Sequence, residues 1–210
     1  MRFVSAFALC AALAFGEPGL ARAQDARPGI GPSTERPVGR QFEWPAGVVP
    51  PDRFQGYSEN DCRRRPEEPT DEVRGLETYV RICLALYNTT SAPIRVDLPA
   101  GLLFVSVDDE TQNGLLINLE TFEIPPGDEP YFAKLYLWCA NANRSPSGYM
   151  DEYETGPVTE DRKILDVINR LAGRPLTQED VRFVQAVIWS ATDDKELADY
   201  EQAWLHGGAQ

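Results

Sequence analysis

Three of the four cysteines, one glutamine and several acidic clusters are the groups in this sequence whose chemistry could define a functional site, since Cys10 lies in a predicted N-terminal signal. Histidine, the usual proton shuttle and the commonest transition-metal ligand, occurs once, as His206. The composition therefore argues against Ser–His and Cys–His hydrolases and against histidine-based metal sites. The sequence also contains no phosphate-cradling glycine loop and no dinucleotide fingerprint.

The acidic clusters offer hard oxygen ligands or a pair of carboxylates. They comprise Asp108, Asp109 and Glu110, then Asp151, Glu152 and Glu154, then Asp193 and Asp194. None has the alternating spacing of a calcium loop, so we expect solvated or capping roles, with no metal and no cofactor. Because the two carboxylates of a glycoside hydrolase are distant in sequence, a periplasmic or secreted carboxylate-using hydrolase is the alternative function.

The cysteines can be placed by strand alternation. The segment from Glu77 to Tyr87 alternates as a strand does, and Cys83 lies opposite its apolar face, so its side chain is predicted to point outward. Cys62, in the preceding loop, is the favoured disulfide partner of Cys83, and a bridge closing this loop contributes on the order of 3 kcal/mol. Pairings of either residue with Cys139 are the alternatives.

Cys139 and Gln185 are both predicted to point into the core. Cys139 shares one side of a strand over residues 131–140 with Leu135 and Leu137. Gln185 lies within an apolar helical stripe formed by Val181, Val184, Ile188 and Trp189. A buried amide without partners costs roughly 1 to 3 kcal/mol. Gln185 therefore either hydrogen-bonds strand or loop backbone, or it has lost its amide nitrogen to a neighbouring group.

The two residues belong to short motifs, Trp138-Cys139 and Val184-Gln185-Ala186-Val187-Ile188-Trp189. These motifs resemble those of bacterial surface proteins with an internal Cys–Gln thioester domain. In that family a cysteine that follows an aromatic residue on a strand is joined to the glutamine of a Thr-Gln-x-Ala-Ile-Trp-like helical motif. The resemblance covers residues 138–189. It departs from the family in that Val184 stands where Thr is usual, Ala186 is one place early, and no cell-wall sorting signal or stalk repeat follows.

The resemblance implies an electrophile that captures amines on a host surface and so gives covalent adhesion. Cys139 would be the thiol and Gln185 the acyl donor. One disulfide and one thioester would then use all three cysteines. A buried free cysteine that packs as a small apolar residue is the other possibility for Cys139.

The domain organisation begins with a segment that resembles a removable secretory signal. Residues 1–23 contain Arg2, an apolar run over residues 3–15 and the small-x-small triplet Ala21-Arg22-Ala23. The apolar run is too short to span a membrane, and no later segment approaches the required length. We therefore predict a secreted or periplasmic protein with a cleaved signal peptide and no membrane span.

Beyond the signal, residues 24–56 are rich in Pro and Gly and are predicted to form a flexible, mostly extended arm. Residues 57–210 are predicted to form a single β-rich domain with C-terminal helices. Its expected strands cover residues 77–87, 94–98, 102–107, 115–124 and 131–140, and its expected helices cover residues 159–172, 177–191 and 193–205, after a loop over residues 141–157. The fold class is mainly β, an antiparallel β-sandwich or partial barrel with a C-terminal helical segment.

The charge balance bears on the partner. The net charge of −13, without a clustered basic surface, argues against nucleic acid and anionic membranes. The leading function is an exported, non-enzymatic binding or surface-interaction module whose partner is a protein or cell-surface ligand.

Overall fold

The computed structural model describes residues 27–57 and 62–207. The predicted signal peptide lies outside these residues. The fold is mainly β, with 31% strand and 18% helix, which agrees with the predicted fold class. The sheet closes into a barrel rather than stacking as a sandwich.

Eleven strands are present in the described residues. They are β1 (Gly39–Arg40), β2 (Val48–Val49), β3 (Phe54–Gly56), β4 (Glu72–Arg74), β5 (Val80–Asn88), β6 (Ile94–Leu98), β7 (Leu102–Ser106), β8 (Gly114–Leu115), β9 (Glu120–Ile124), β10 (Tyr131–Cys139) and β11 (Glu152–Thr159). Six of them close an antiparallel barrel in the order β5, β3, β11, β7, β8, β10 and back to β5. Strand β4 adds to β10 in parallel, and β6 pairs with β9 as a separate two-stranded sheet.

The barrel interior is the main core of the protein. Alternate residues of β5, namely Val80, Ile82, Leu84 and Leu86, are fully buried, as the alternation of this strand predicts. They pack with inward residues of β10 and with Val96, Leu98, Phe122 and Ile124 from the β6–β9 pair. The Cys83 side of β5 is only partly buried, which is the placement predicted for the outer face.

Three helices of the described residues pack on the outside of the barrel. They are α1 (Arg162–Leu171), α2 (Val181–Thr192), which follows a 3-10 turn at Gln178–Asp180, and α3 (Asp199–Leu205). A second buried cluster joins them to the outer face of the sheet through residues such as Trp138, Ile164, Val184 and Trp204. Within residues 27–57 and 62–207, no helix has the length and apolar character needed to cross a membrane.

The N-terminal segment differs from the flexible arm predicted over residues 24–56. From residue 27 onward this segment contributes three strands, and Phe54 of β3 is 1% exposed within the barrel core. Ile30 is also buried, against the helices. Strands of two or three residues are too short to show periodicity, which explains why composition alone suggested a loose arm.

The later boundaries also differ from prediction. The expected loop over residues 141–157 contains most of β11, a barrel strand whose register shifts between Thr155 and Val158. Gly156 and Pro157 lie at this irregularity, where a proline is tolerated within a sheet. The expected strand over residues 115–124 is divided between β8 and β9, and the third helix begins at Asp199 rather than Asp193.

Candidate functional site

The three described cysteines separate into one bridge and one free thiol. Cys62 and Cys83 form a disulfide with an S–S distance of 2.07 Å, which confirms the predicted pairing. Cys139 is free and 0% exposed. The sulfur of Cys139 is therefore the one described thiol that is not part of a disulfide.

Cys139 is the last residue of β10, at one end of the barrel. It lies opposite Gly114 of β8, and the next residue, Ala140, donates its N–H to the Asn113 carbonyl at 3.0 Å. The thiol belongs to the barrel core, whereas Trp138 packs on the outer face among the helices. The alternation that predicted an inward-pointing Cys139 is confirmed.

The other edge of β10 loses its strand partner before Cys139. The β5–β10 ladder ends where Val80 pairs with Leu137, and the Thr78 hydroxyl donates to the Leu137 carbonyl at 2.8 Å. Because residues two apart in a strand direct their backbone polar groups to the same edge, the N–H and C=O of Cys139 face the space beyond the start of β5.

Gln185 of α2 fills that space. Its side-chain Oε1 accepts a hydrogen bond from Cys139 N at 3.0 Å, and its Nε2 donates to Cys139 O at 2.9 Å. Gln185 is 2% exposed, and its neighbours on the stripe, Val181, Val184 and Ile188, are buried as predicted. Of the two outcomes predicted for this amide, the structure shows hydrogen bonding to strand backbone. Both contacts are to the Cys139 backbone, while its side chain belongs to the barrel core.

The site suppresses ionisation of the sulfur. Burial raises the pKa of the Cys139 thiol to about 12, and the adjacent Gln112 side chain opposes part of that rise. The thiol is therefore protonated at neutral pH. A cysteine hydrolase needs a lowered thiol pKa, so this environment does not suit one.

Two further buried polar side chains surround the thiol without full partners. Gln112 is 3% exposed, its Nε2 donates to the Arg144 carbonyl at 3.1 Å, and its Oε1 has no hydrogen-bond partner. The Tyr153 hydroxyl, in the same core cluster as Cys139, is also buried and without a partner. Sequence reasoning missed both residues, because Gln112 lies in a polar turn and Tyr153 in the segment interpreted as a loop.

The N-terminal segment fixes α2 against the end of β10. The Gly31 N–H donates to the Ala140 carbonyl at 2.9 Å, and the buried Asn141 side chain donates to the carbonyls of Gly29 and Gly31. Arg27 forms a bidentate pair with Asp161 and also donates to the Ala191 carbonyl near the end of α2. The position of Gln185 therefore depends on residues 27–31.

The acidic clusters of the sequence analysis lie in turns, caps and ion pairs. Asp108 accepts from the Glu110 N–H, Glu152 pairs with Arg53, and Asp193 accepts from the Thr192 hydroxyl. Asp194 pairs with Lys163. In the part of the chain that the structure describes, no group of three or more His, Cys, Asp or Glu side chains is arranged to hold a metal ion.

Comparison with protein-family models, with curated proteins and with solved structures finds no match to this chain.

Proposed function

We propose that this chain is a surface-interaction module that captures primary amines covalently through an internal thioester between Cys139 and Gln185. The observation that carries the proposal is that a buried glutamine amide hydrogen-bonds the backbone N–H and C=O of Cys139, the residue that carries the free, buried thiol. Both residues are almost wholly enclosed, so the Gln185 amide is shielded from solvent.

The chemistry balances without a cofactor. The Cys139 sulfur adds to the carboxamide carbon of Gln185, and the C–N bond breaks, so that ammonia leaves with the thiol proton. A primary amine then adds to the same carbon and the C–S bond breaks. The products are an amide on the Gln185 side chain and a thiol on Cys139, which receives the proton lost by the amine nitrogen.

Burial is what makes such an electrophile useful. Cys139 is 0% and Gln185 2% exposed, so water is excluded from the reacting carbon until a partner approaches. The hydrogen bond from Cys139 N to Gln185 Oε1 would also persist in the thioester, because the acyl oxygen remains an acceptor. The backbone therefore orients the acyl group before and after ammonia is lost.

We place the approach of the amine beside the first turn of α2, next to a cleft whose lining does not include Cys139 or Gln185. A cleft of about 670 Å³ is lined by residues of β5, β10 and α2, including Thr78, Val181 and Arg182. Val181 is one helical turn before Gln185, and Thr78 bonds the strand carbonyl two residues before Cys139. The cleft carries charges of both signs, since Glu77 and Glu179 line it together with Arg81, Lys134 and Arg182.

Mass spectrometry tests the proposal. The intact chain should be lighter by one ammonia, and methylamine should replace that deficit with a covalent adduct on Gln185 while exposing one thiol. Because a cyclised N-terminal Gln24 also loses ammonia, peptide mapping must assign the deficit to the peptides that contain Cys139 and Gln185. Cys139→Ala and Gln185→Ala are the controls, and neither should lose ammonia at this site.

A wild-type chain whose Cys139 and Gln185 peptides have their full masses contradicts the proposal. Gln185 would then act only as the amide that completes the edge of β10. The module would have to bind its partner without a covalent bond.

Carboxylate-based hydrolysis is the second candidate function, and one observation favours it. Burial raises the pKa of Glu120, with Glu72 adding to the rise and Arg74 opposing it, and a general acid needs such a shift. Hydrolysis of aryl glycosides or esters by the wild type, lost in Glu120→Gln, would support this function. Equal activity in the two chains would contradict it.

A further inference from the structure

A polar cleft lies between the outer face of the β5–β10 ladder and the beginning of α2. It is the cleft of about 670 Å³ described above, and three cations line it, namely Arg81 of β5, Lys134 of β10 and Arg182 of α2. These residues are distant in sequence, so no basic run indicates the cluster. The fold therefore concentrates positive charge at one place on a chain whose net charge is −13.

Arg81 has a fixed backbone and an unpartnered side chain. It lies opposite Tyr136 in the β5–β10 ladder, and its backbone N–H donates to the Ser147 hydroxyl at 2.7 Å. Its Nε is buried without a hydrogen bond, and no carboxylate of the described residues pairs with its guanidinium group. A buried donor without an acceptor costs free energy, so this guanidinium group indicates a place where an anion binds.

Other arginines of the protein already have a carboxylate partner. Arg74, whose Nε is also buried without a hydrogen bond, pairs through a terminal nitrogen with Glu72 at 3.1 Å. Arg182 packs 4.5 Å from the centroid of the Phe183 ring and, like Arg81, has no carboxylate partner within residues 27–57 and 62–207. Two guanidinium groups that line one cleft can both pair with a single carboxylate.

Tyrosine rings form another part of the cleft wall. Tyr136 lines the cleft and packs edge to face against Tyr57, with ring centroids 6.1 Å apart. The Lys134 ammonium lies 5.5 Å from the Tyr57 centroid, and Tyr79, also in the wall, is 50% exposed. A phenol ring combines a flat apolar face with a polar tip, which suits contact with the C–H face of a sugar ring.

Glu77 and Glu179 also line the cleft, and they decide which kind of anion fits. Their carboxylates can accept hydrogen bonds from hydroxyl groups, and they repel a second negative charge. A nucleic acid or a run of acidic residues therefore fits poorly. A sugar ring with one carboxylate and several hydroxyl groups supplies an anion to the arginines and donors to the glutamates.

We infer that this cleft binds acidic saccharides non-covalently. The carboxylate of a uronic acid pairs with the guanidinium groups of Arg81 and Arg182, and its ring lies against Tyr136. The cleft suits a ligand of this size, because small-molecule sites have volumes of the same order. The inference does not rest on the proposed thioester, since neither Cys139 nor Gln185 lines the cleft.

Calorimetric titration of the purified full chain tests the inference. The probes are digalacturonic acid, its dimethyl ester, which has the same rings without charge, and hexaglutamate, an acidic peptide. Arg81→Met keeps an unbranched stem and removes the charge, whereas Arg95→Met is the matched control at an exposed arginine outside the cleft. Cys139→Ala is titrated as well, so that a failure of the thioester is read separately.

We expect wild type and Cys139→Ala to bind digalacturonic acid with a dissociation constant below about 1 mM, and to bind the other two probes at least about tenfold more weakly. Arg81→Met should lose at least about tenfold in affinity, because it removes a charge-assisted pair, and Arg95→Met should bind as wild type does. No binding by wild type overturns the inference. So does equal affinity for the acid and its ester, tighter binding of hexaglutamate, or unchanged affinity in Arg81→Met.

A second variant covers the case in which Arg81→Met does not fold. Arg182 is exposed on α2, so Arg182→Met removes a charge from the cleft without disturbing the core. It should weaken the binding of digalacturonic acid at least about threefold. An Arg182→Met chain with the affinity of wild type contradicts the inference.

Discussion

Gln185 hydrogen-bonds both backbone polar atoms of Cys139, and its side chain lies opposite Cys139, two residues beyond the last β5–β10 pair of Val80 and Leu137. A second glutamine makes the same double contact nearby. Gln178 accepts from the Glu77 N–H at 3.1 Å and donates to the Glu77 carbonyl at 2.9 Å, but at an exposed position. The two contacts have the same chemistry and differ in burial.

That difference gives a prediction about stability. In a Cys139→Ala background, where no thioester can form, Gln185→Met should lower the free energy of unfolding by about 2 to 4 kcal/mol, since it leaves a buried N–H and C=O unpaired. Gln178→Met is the matched control and should cost under about 1 kcal/mol, because water replaces the lost bonds. Urea denaturation measures both, and equal costs would contradict the argument.

The disulfide is predicted to stabilise the domain through the unfolded chain. Cys62 and Cys83 are separated by 21 residues, and opening a loop of that size should cost about 3 kcal/mol in the double variant Cys62→Ala, Cys83→Ala. Guanidinium unfolding of the oxidised wild type and of the double variant measures the difference. Reduced wild type should have the same free energy of unfolding as the double variant. A large difference between the two would show that side-chain packing causes the loss of stability.

Arg27 is predicted to tie the N-terminal segment to the helices in a pH-dependent way. Burial raises the pKa of Asp161, but hydrogen bonds from Arg27 and from the first turn of α1 outweigh it and hold this pKa below its ordinary value. Arg27→Met should therefore cost about 2 kcal/mol at neutral pH. A group whose folded pKa is lowered stabilises the fold fully above its unfolded pKa, and this stability is lost as the pH falls through the folded pKa. The difference in stability between wild type and Arg27→Met should therefore shrink in acid.

Thermal unfolding at neutral pH and below pH 3.8 measures this effect. The exposed pair of Arg95 and Asp97 supplies the control, and Arg95→Met should leave the melting temperature unchanged. If Arg27→Met lowers the melting temperature equally at both pH values, the loss of stability comes from packing and not from the ion pair.

Glu120 is predicted to be a destabilising residue when it is charged. Because burial raises its pKa above the ordinary value of 4.5, the folded state holds its proton more tightly than the unfolded state does. The stability that protonated Glu120 contributes is complete below its unfolded pKa and is lost as the pH rises through its folded pKa. Glu120→Gln should therefore raise the free energy of unfolding at neutral pH and have little effect in strong acid.

Urea denaturation in strong acid and at neutral pH measures the free energy of unfolding of both chains. Glu123→Gln, an exposed change on the same strand, should have no effect at either extreme. A Glu120→Gln chain that is less stable than wild type at neutral pH would show that the carboxylate makes a favourable contact which outweighs its burial.

The sequence predicted the site better than it predicted the chain around it. Strand alternation placed Cys139 inward and Cys83 outward, and the helical stripe placed Gln185 in the core, because a period of 2 or 3.6 residues fixes which side chains share a face. These inferences needed only local geometry, and all three are confirmed. That the cysteine and the glutamine meet was suggested by motif resemblance and not by periodicity.

The missed elements have physical causes. Strand β11 contains Gly156 and Pro157, which interrupt the pattern, and it is held by pairing with β7, a partner distant in sequence. The N-terminal segment is ordered by contacts of Arg27 and Gly31 with residues more than a hundred positions away. Gln112 gave no signal, because an unsatisfied oxygen is a property of the folded interior and not of a residue type.

Unequal strand lengths decide where Cys139 and Gln185 can meet. Strand β10 continues two residues beyond its last pairing with β5, and the Gln185 amide bonds the backbone left unpaired there. Extending β5 until it paired with Cys139 would displace Gln185 and turn the region into continuous sheet. Lengthening a neighbouring strand would thus separate Cys139 from Gln185 while leaving both residues in the sequence.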